Sequence, residues 1–497
     1  MTRRIVIAAL ALLALLAPAA GASRTQESTF QDDNHLIYAT NDEVAQTMDR
    51  LKALGVDRLR ITVLWSAIAP DIGATQKPAG FDAADPGSYP TGVWDNYDRV
   101  VQYAADRGLA INFNITMPGP LWAMGASPRA DIANRFAPNA AEFGDFVRAV
   151  GRRYPQVSYW TVQNEPNQPG WLDPQWVRSG KRWVESAPSI YRGLVDAAWS
   201  ALQDTGHGAD TILIGETAPK GVSVRGTTRA LSPGRFIRRL FCLDDHLQLL
   251  RGARATQRGC PGSASPAAFR AAHPGLFSAT GYAHHPYELI FAPNRPPRHS
   301  DWYTIANLPK LSALLRRVRA RFGVGGSFPL YLTEFGYQTH PPDPLGVSPA
   351  QQARYLNQAE YLAYRSRDVR TLSQFLLYDD GPPFAMTFQS GLDYASGRAK
   401  PAQAAYAFPL YLPAPSVRGG RRLHVWGLLR VAPNGQRHNV DVLFRARGSH
   451  GHYRRIARLR TQAARGYVDG FVRVRRSGSI RLRWGAVRSR AAAFRVR

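Results

Sequence analysis

From about residue 36 to residue 410, short apolar, β-branched runs alternate with longer stretches of helical periodicity. No other feature of the chain limits its fold as much. Strands that recur with a helix between them must lie parallel, because each connection has to cross back over the sheet. The strand-like runs fall at 36–38, 59–65, 109–114, 157–162, 211–215, 279–283, 330–333 and 372–378. Helical spacing appears at 43–54, where Val44, Met48, Leu51 and Leu54 share a face, and again at 94–107, 141–154, 189–204, 308–322 and 349–365. This alternation predicts an α/β fold, a closed (β/α)8 TIM barrel over 23–412. A doubly wound open sheet fits less well, since no Gly-rich phosphate-binding turn follows the first strand.

Two interruptions break the pattern. Residues 221–274 are rich in Arg, Gly and Pro, and they form a long insertion between the fifth and sixth strands, on the side where βα loops build barrel sites. After Pro413-Ala414-Pro415 the texture changes to short alternating strands at 423–427, 440–444, 471–474 and 480–484, separated by Gly-containing turns. That pattern predicts an all-β sandwich over 416–497.

The N-terminus reads as an export signal over 1–22: Arg3 and Arg4, an apolar run at 5–17, and the small residues Ala20-Gly21-Ala22. A secreted protein, free in the exterior or associated with the cell wall and released from the membrane once the signal is removed, is the expectation, with the apolar run retained as an anchor as the rival. The two cysteines, Cys242 and Cys260, are eighteen residues apart, and in an exported chain such a pair is expected to form a disulfide closing a local loop; the rivals, two free thiols or half of a metal site, have no supporting cluster, since the chain has no other Cys. Of the net charge of +27, residues 416–497 carry +19, from 21 Arg, no Lys and the two acids Asp441 and Asp469. The plain reading is a solvated basic face. The specific one is a patch for a polyanionic cell-surface glycan, with nucleic acid the weakest option for an exported chain. A monomer is expected.

Two acids stand where a barrel carries its chemistry. Glu165, in Gln163-Asn164-Glu165-Pro166, ends the fourth strand, and Glu334, in Thr333-Glu334-Phe335-Gly336, ends the seventh. The C-terminal strand ends of such barrels point into the active site. Two facing carboxylates, one protonated and one ionised, are what cleavage of a glycosidic bond requires.

These motifs resemble the retaining glycoside hydrolase clan that includes the cellulase-type family 5 and the xylosidase-type family 39, over about residues 24–412. The resemblance implies Glu165 as acid/base and Glu334 as nucleophile, with Asn164 bonding the sugar 2-hydroxyl and Arg60 beside the nucleophile. His285-Pro286-Tyr287 resembles the His-x-Tyr of family 5, whose Tyr donates to the nucleophile and whose His faces the sugar; His284 competes for the latter role. Trp65, Trp122 and Trp171 follow strands and are candidate sugar platforms, with core packing as the alternative. The chain departs from family 5 in two places. Asn114 or Thr116 stands where a His is usual after the third strand, and Tyr378-Asp379-Asp380 stands where a Trp is usual after the eighth. An exposed loop acid is the expectation for Asp379 and Asp380, with a contact to a sugar hydroxyl or an amino sugar as the alternative. No metal is expected: His284, His285 and Glu288 are adjacent, but neighbouring His on an extended chain diverge and no third ligand is at hand. The implied activity is retaining O-glycosyl hydrolysis of oligo- or polysaccharides without a cofactor, or transglycosylation. The alternative is a carbohydrate-binding or wall-attached barrel that does not hydrolyse.

Overall fold

A computed structural model describes residues 22–384 and 386–497, so the expected signal lies, but for Ala22, outside the described residues. Eight parallel strands close into a barrel: β1 (Glu27–Gln31), β2 (Arg58–Leu64), β3 (Ala110–Thr116), β4 (Tyr159–Val162), β5 (Thr211–Thr217), β6 (Gly281–His284), β7 (Leu330–Leu332) and β8 (Val369–Phe375). The ring is completed where β1 pairs with β8 on one side and β2 on the other. The helices fall where the periodicity placed them, at Asn41–Ala53, Asp95–Asp106, Ala140–Arg153, Ala187–Asp204, Leu308–Arg321 and Pro349–Arg365. Local chemistry sets their starts. Thr40 and Glu43 form a reciprocal capping box at the first, and Asn139 accepts from the first-turn N–H groups of Ala141 and Glu142 at another.

The first strand lies at 27–31, not at the apolar run 36–38. Residues 33–36 form instead a single helical turn capped by Asp32, which buries Leu36. The cause is the composition of the barrel interior. Thr29 of β1 shares a small internal cavity with Arg60, Asn112 and Thr371 of β2, β3 and β8 and with Thr333 just after β7. A strand whose inward neighbours are polar need not be apolar itself, so a search for hydrophobic periodicity passes over it.

The segment between β5 and β6 carries the helices Pro233–Leu240, Gly252–Thr256 and Pro266–Ala272, together with a Cys242–Cys260 disulfide. It is held to the loop after β4 by Glu185, a buried acid that pairs with Arg235, Arg239 and Arg258.

The C-terminal region is a two-sheet β-sandwich. Its strands are β9 (Leu410–Tyr411), β10 (Ser416–Val417), β11 (Arg422–Leu428), β12 (Asn439–Ala446), β13 (Arg454–Arg460), β14 (Tyr467–Arg473), β15 (Gly478–Trp484), β16 (Val487–Arg488) and β17 (Ala492–Val496). One sheet runs β9-β11-β14 and the other β10-β17-β15-β12-β13, with β16 on β15. β9 pairs with Trp426 and Gly427, so the first sheet begins before the Pro413–Pro415 break. The sandwich rests on the barrel through Trp426, Leu428 and Tyr467 packed against Tyr361 and Tyr364. Arg430 is buried at this junction, bonded to Glu360 of the helix Pro349–Arg365 and to Ser28 of β1. Arg465 reaches Asp57 at 2.6 Å.

Candidate active site

Three carboxylates converge at the C-terminal end of the barrel. Glu165 follows β4 in a strained turn, with Gln163 at φ 62° and Glu165 at φ 35°. Non-glycine residues pay a conformational cost in this left-handed region, and such residues cluster at functional sites. The turn is pinned by the Gln163 N–H donating to Ile115 and the Asn164 N–H donating to the Thr116 hydroxyl at 3.0 Å. Glu334 follows β7 directly after Thr333. The third acid, Glu216, is one that no motif in the sequence singles out. It sits at φ 43° in β5, just after Gly215 and within a register shift between Ile214 and Thr217. Gly215 is itself at φ 107°, where a Cβ would fall 2.6 Å from the Tyr282 ring. A β-bulge of this kind re-aims one side chain, here a carboxylate, toward the barrel centre.

Arg60 of β2 joins the three elements. It donates to Glu334 Oε1 at 3.0 Å, to Glu216 Oε2 at 3.0 Å and to Asn164 Oδ1 at 2.7 Å. Gln31 of β1 also accepts from it. His285 lies between the acids: Nδ1 is 2.9 Å from Glu165 Oε1 and 3.5 Å from Glu334 Oε2, while Nε2 is bonded to Glu216 Oε2. Tyr287 donates its hydroxyl to Glu334 Oε2 at 3.2 Å, and Thr333 donates to Glu216 at 3.0 Å. One donor atom each from Glu165, His285 and Glu334 lie within 4.8 Å of one another. The Glu165 and Glu334 side chains keep 19% and 12% of their surface exposed, whereas Glu216 and His285 keep none.

Burial and charge act against each other on these groups. Burial pushes the His285 imidazole down, but the Glu334 and Glu216 charges, with its hydrogen bonds to Glu165 and Glu216, take it up to about 10. Burial also raises Glu216, yet Arg60 and then His285 hold it below the ordinary carboxyl value. Glu334 is raised, first by burial, with His285 and Arg60 opposing. Burial, then the Glu334 and Glu165 charges, keep Tyr287 well above the usual phenol range, so it remains a donor.

Arg60, Asn164, His285 and Tyr287 therefore sit around the two Glu residues. Trp65 does not. Its indole is fully buried, stacked on Phe146 at 5.5 Å, and cannot meet a sugar. The chain turns into a short helix, Trp65–Ile68, as β2 ends, and the ring drops beneath the loop into the core. Trp122 and Trp171 keep partial exposure, with Trp122 donating to the Pro70 carbonyl at 3.1 Å. His284 faces away, toward Thr217 and the Tyr303 carbonyl, and burial lowers it to about 3. Asp379 is a buried acid and not an exposed one, held by Lys400 Nζ at 2.6 Å. Glu288 lies 3.6 Å from Lys220, away from His285. The expectation that His285 lacks further ligand-type neighbours also needs correction, since Glu165 and Glu334 come from distant strands to meet it. Both imidazole nitrogens are already bonded to carboxylates.

No protein-family model matches the chain, and no curated protein matches it in sequence. Among solved structures it is similar to a family 39 glycoside hydrolase from the gut symbiont Bacteroides cellulosilyticus WH2, at 12% identity, covering 92% of this chain and 80% of that one, with a TM-score of 0.51. It is more distantly similar to a monomeric beta-xylosidase from Caulobacter crescentus CB15 (16% identity, 86% and 85% covered, TM-score 0.46). A similar distance separates it from a family 1 b-glucosidase from Thermotoga maritima (13% identity, 78% and 92% covered, TM-score 0.46). Identities this low speak to architecture alone; the closed ring of eight parallel strands, with the likeness to the family 39 structure, places this chain in the (β/α)8 barrel fold.

Proposed function

We propose that this protein is a retaining O-glycosyl hydrolase acting on an oligo- or polysaccharide, with Glu165 as acid/base and Glu334 as nucleophile. The observation that carries this reading is the convergence of two partly exposed carboxylates, from β4 and β7, within 4.8 Å. Retaining glycosidases hold their two carboxyl groups about 5–5.5 Å apart, too close for water to stand between nucleophile and sugar. Hydrogen bonding supports the same roles. Burial raises Glu334, and against that its two oxygens accept separately, from Arg60 and from Tyr287, which favours the ionised form a nucleophile needs.

In the first step Glu165 gives its proton to the glycosidic oxygen while Glu334 attacks the anomeric carbon. The bond to the leaving alcohol breaks and a glycosyl ester forms on Glu334. In the second, Glu165 takes a proton from water, the hydroxyl adds to the anomeric carbon, and Glu334 is released. Asn164, fixed by Arg60 and Thr116, is placed to bond a sugar hydroxyl. Trp122 and Trp171 are the aromatic surfaces left for stacking. Export to the cell exterior fits the leader and the Cys242–Cys260 bond; no helix among the described residues is long and apolar enough to cross a membrane.

The test is hydrolysis of a panel of aryl glycosides and polysaccharides, followed by labelling with a 2-fluoro glycoside. The label is expected on Glu334, and Glu165→Gln is expected to lose about 10²–10⁴-fold in turnover of substrates with poor leaving groups. Sugar binding without turnover across the panel would instead establish a carbohydrate-binding barrel.

A further inference from the structure

The two carboxylates assigned to the reaction do not explain Glu216. It is fully buried, it occupies a strained backbone conformation, and three donors converge on one of its oxygens: Arg60, Thr333 and His285 Nε2. The other oxygen, Oε1, is buried with no hydrogen-bond partner among the described residues. Leaving a buried carboxylate oxygen unpartnered is costly, and an acid retained on those terms has work to do through its bonded side.

We infer that Glu216 is a positioning residue that fixes a proton on His285 Nε2, so that the proton on Nδ1 is the one shared with Glu165. The inference rests on the assignment of Glu165 as acid/base. The geometry carries it. Each ring nitrogen of His285 faces a carboxylate, and a neutral imidazole has only one N–H. With Nε2 held by Glu216, two arrangements satisfy every hydrogen bond. Either Nδ1–H donates to an ionised Glu165, or a protonated Glu165 donates to bare Nδ1. Passing between them moves one proton over a 2.9 Å contact and changes no net charge: imidazolium plus carboxylate becomes imidazole plus carboxylic acid. The acid form can protonate the leaving oxygen. After water attacks, the proton that Glu165 has gained can return to Nδ1.

The groups facing His285 are few and each has a part. Glu165 and Glu216 hold its two nitrogens. Glu334 lies 3.5 Å from Nδ1. Arg60 acts on it through Glu216, and the Tyr287 ring packs edge-on to it with its hydroxyl turned to Glu334. His284, beside it in sequence, turns its ring to Thr217. Glu216 is the only one of these whose charge faces His285 away from the cleft, so removing that charge while keeping the acceptor isolates its effect.

Two measurements on the full chain test this. In the first, ¹⁵N-histidine spectra of the wild type and Glu216→Gln are followed from pH 5 to 10, with the His285 signal assigned by its loss in His285→Gln. The wild type is expected to keep Nε2 protonated throughout; in Glu216→Gln the ring is expected to titrate about 1–3 pH units lower. In the second, the pH profile of kcat/KM on an aryl glycoside is expected to lose its alkaline side about 1–3 units earlier in Glu216→Gln, with the charge-retaining Glu216→Asp falling between. A wild-type ring whose Nε2 carries no proton, or identical titration and profiles in wild type and Glu216→Gln, overturns the inference. If Glu216→Gln does not fold, the wild-type spectrum and Glu216→Asp decide. The spectra need no turnover. A locked Nε2 proton in a protein that cleaves no glycoside would uphold the Glu216–His285 pairing and remove the glycosidase reading.

Discussion

Two acids in this protein are ringed by cations, one in the barrel and one in the sandwich. Glu216 meets Arg60 and His285 with no exposed surface. Asp441, on β12, meets Arg483 at 2.8 Å, Arg458 at 3.0 Å and Arg455 at 3.7 Å, among side chains 39–55% exposed. The residue types are similar and the consequences are not. In water the charges of Asp441 and its arginines are screened, and such pairs contribute little. Inside the barrel mouth nothing screens them, so charge decides which group holds a proton and where each side chain points. Burial, and not the number of ion pairs, makes one cluster a candidate for chemistry and leaves the other a solvated face.

That contrast can be broken by experiment. The largest effect is expected for Arg60→Met, which leaves Glu216 and Glu334 without their shared cation. Chemical denaturation should show a loss of about 3–5 kcal/mol, and glycoside turnover should fall with it. Next comes Arg430→Met, the sandwich's own buried arginine. Glu360 is 11% exposed, so the loss should sit at the lower end of that range, about 3 kcal/mol. A change under 1 kcal/mol there would mean that the sandwich is an appended module and not a brace for the barrel. A third probe is pH. A histidine raised to about 10 contributes stability that is complete below its unfolded value of about 6.5 and is lost as pH rises through about 10. The wild type should therefore lose more stability than His285→Gln between neutral pH and pH 10, read from denaturation midpoints. The smallest effect is expected for Asp441→Asn. Its carboxyl is held below the ordinary value, first by the Arg483 hydrogen bond, so its contribution is present at neutral pH and lost as pH falls through the acid range. The change should stay below about 1 kcal/mol and shrink further in high salt.

The disagreements between sequence and structure have a common origin. Trp65 and β1 both differ from their local pattern because burial is set by distant neighbours: an indole after a strand looks like a binding surface but is core, and a polar strand looks like a loop but lines the barrel. The fifth apolar run ends at Gly215, two residues before β5 does, so Glu216 falls outside it. An acid immediately after that run, near the barrel end that carries Glu165 and Glu334, is the available signal.

The amino-acid sequence alone determined the alternation that makes a closed parallel barrel, the short polar-out strands of the sandwich, and two glutamates at strand ends. These are local matters, since period, turn chemistry and strand-end position are all written within a few residues. The tertiary structure decided which side chains share a dry space. Residues 60, 216, 285 and 334 lie far apart along the chain, and only closure of the barrel brings them into contact. Protonation and hydrogen-bond direction depend on that contact, because electrostatic interactions act through space and strengthen when water is excluded.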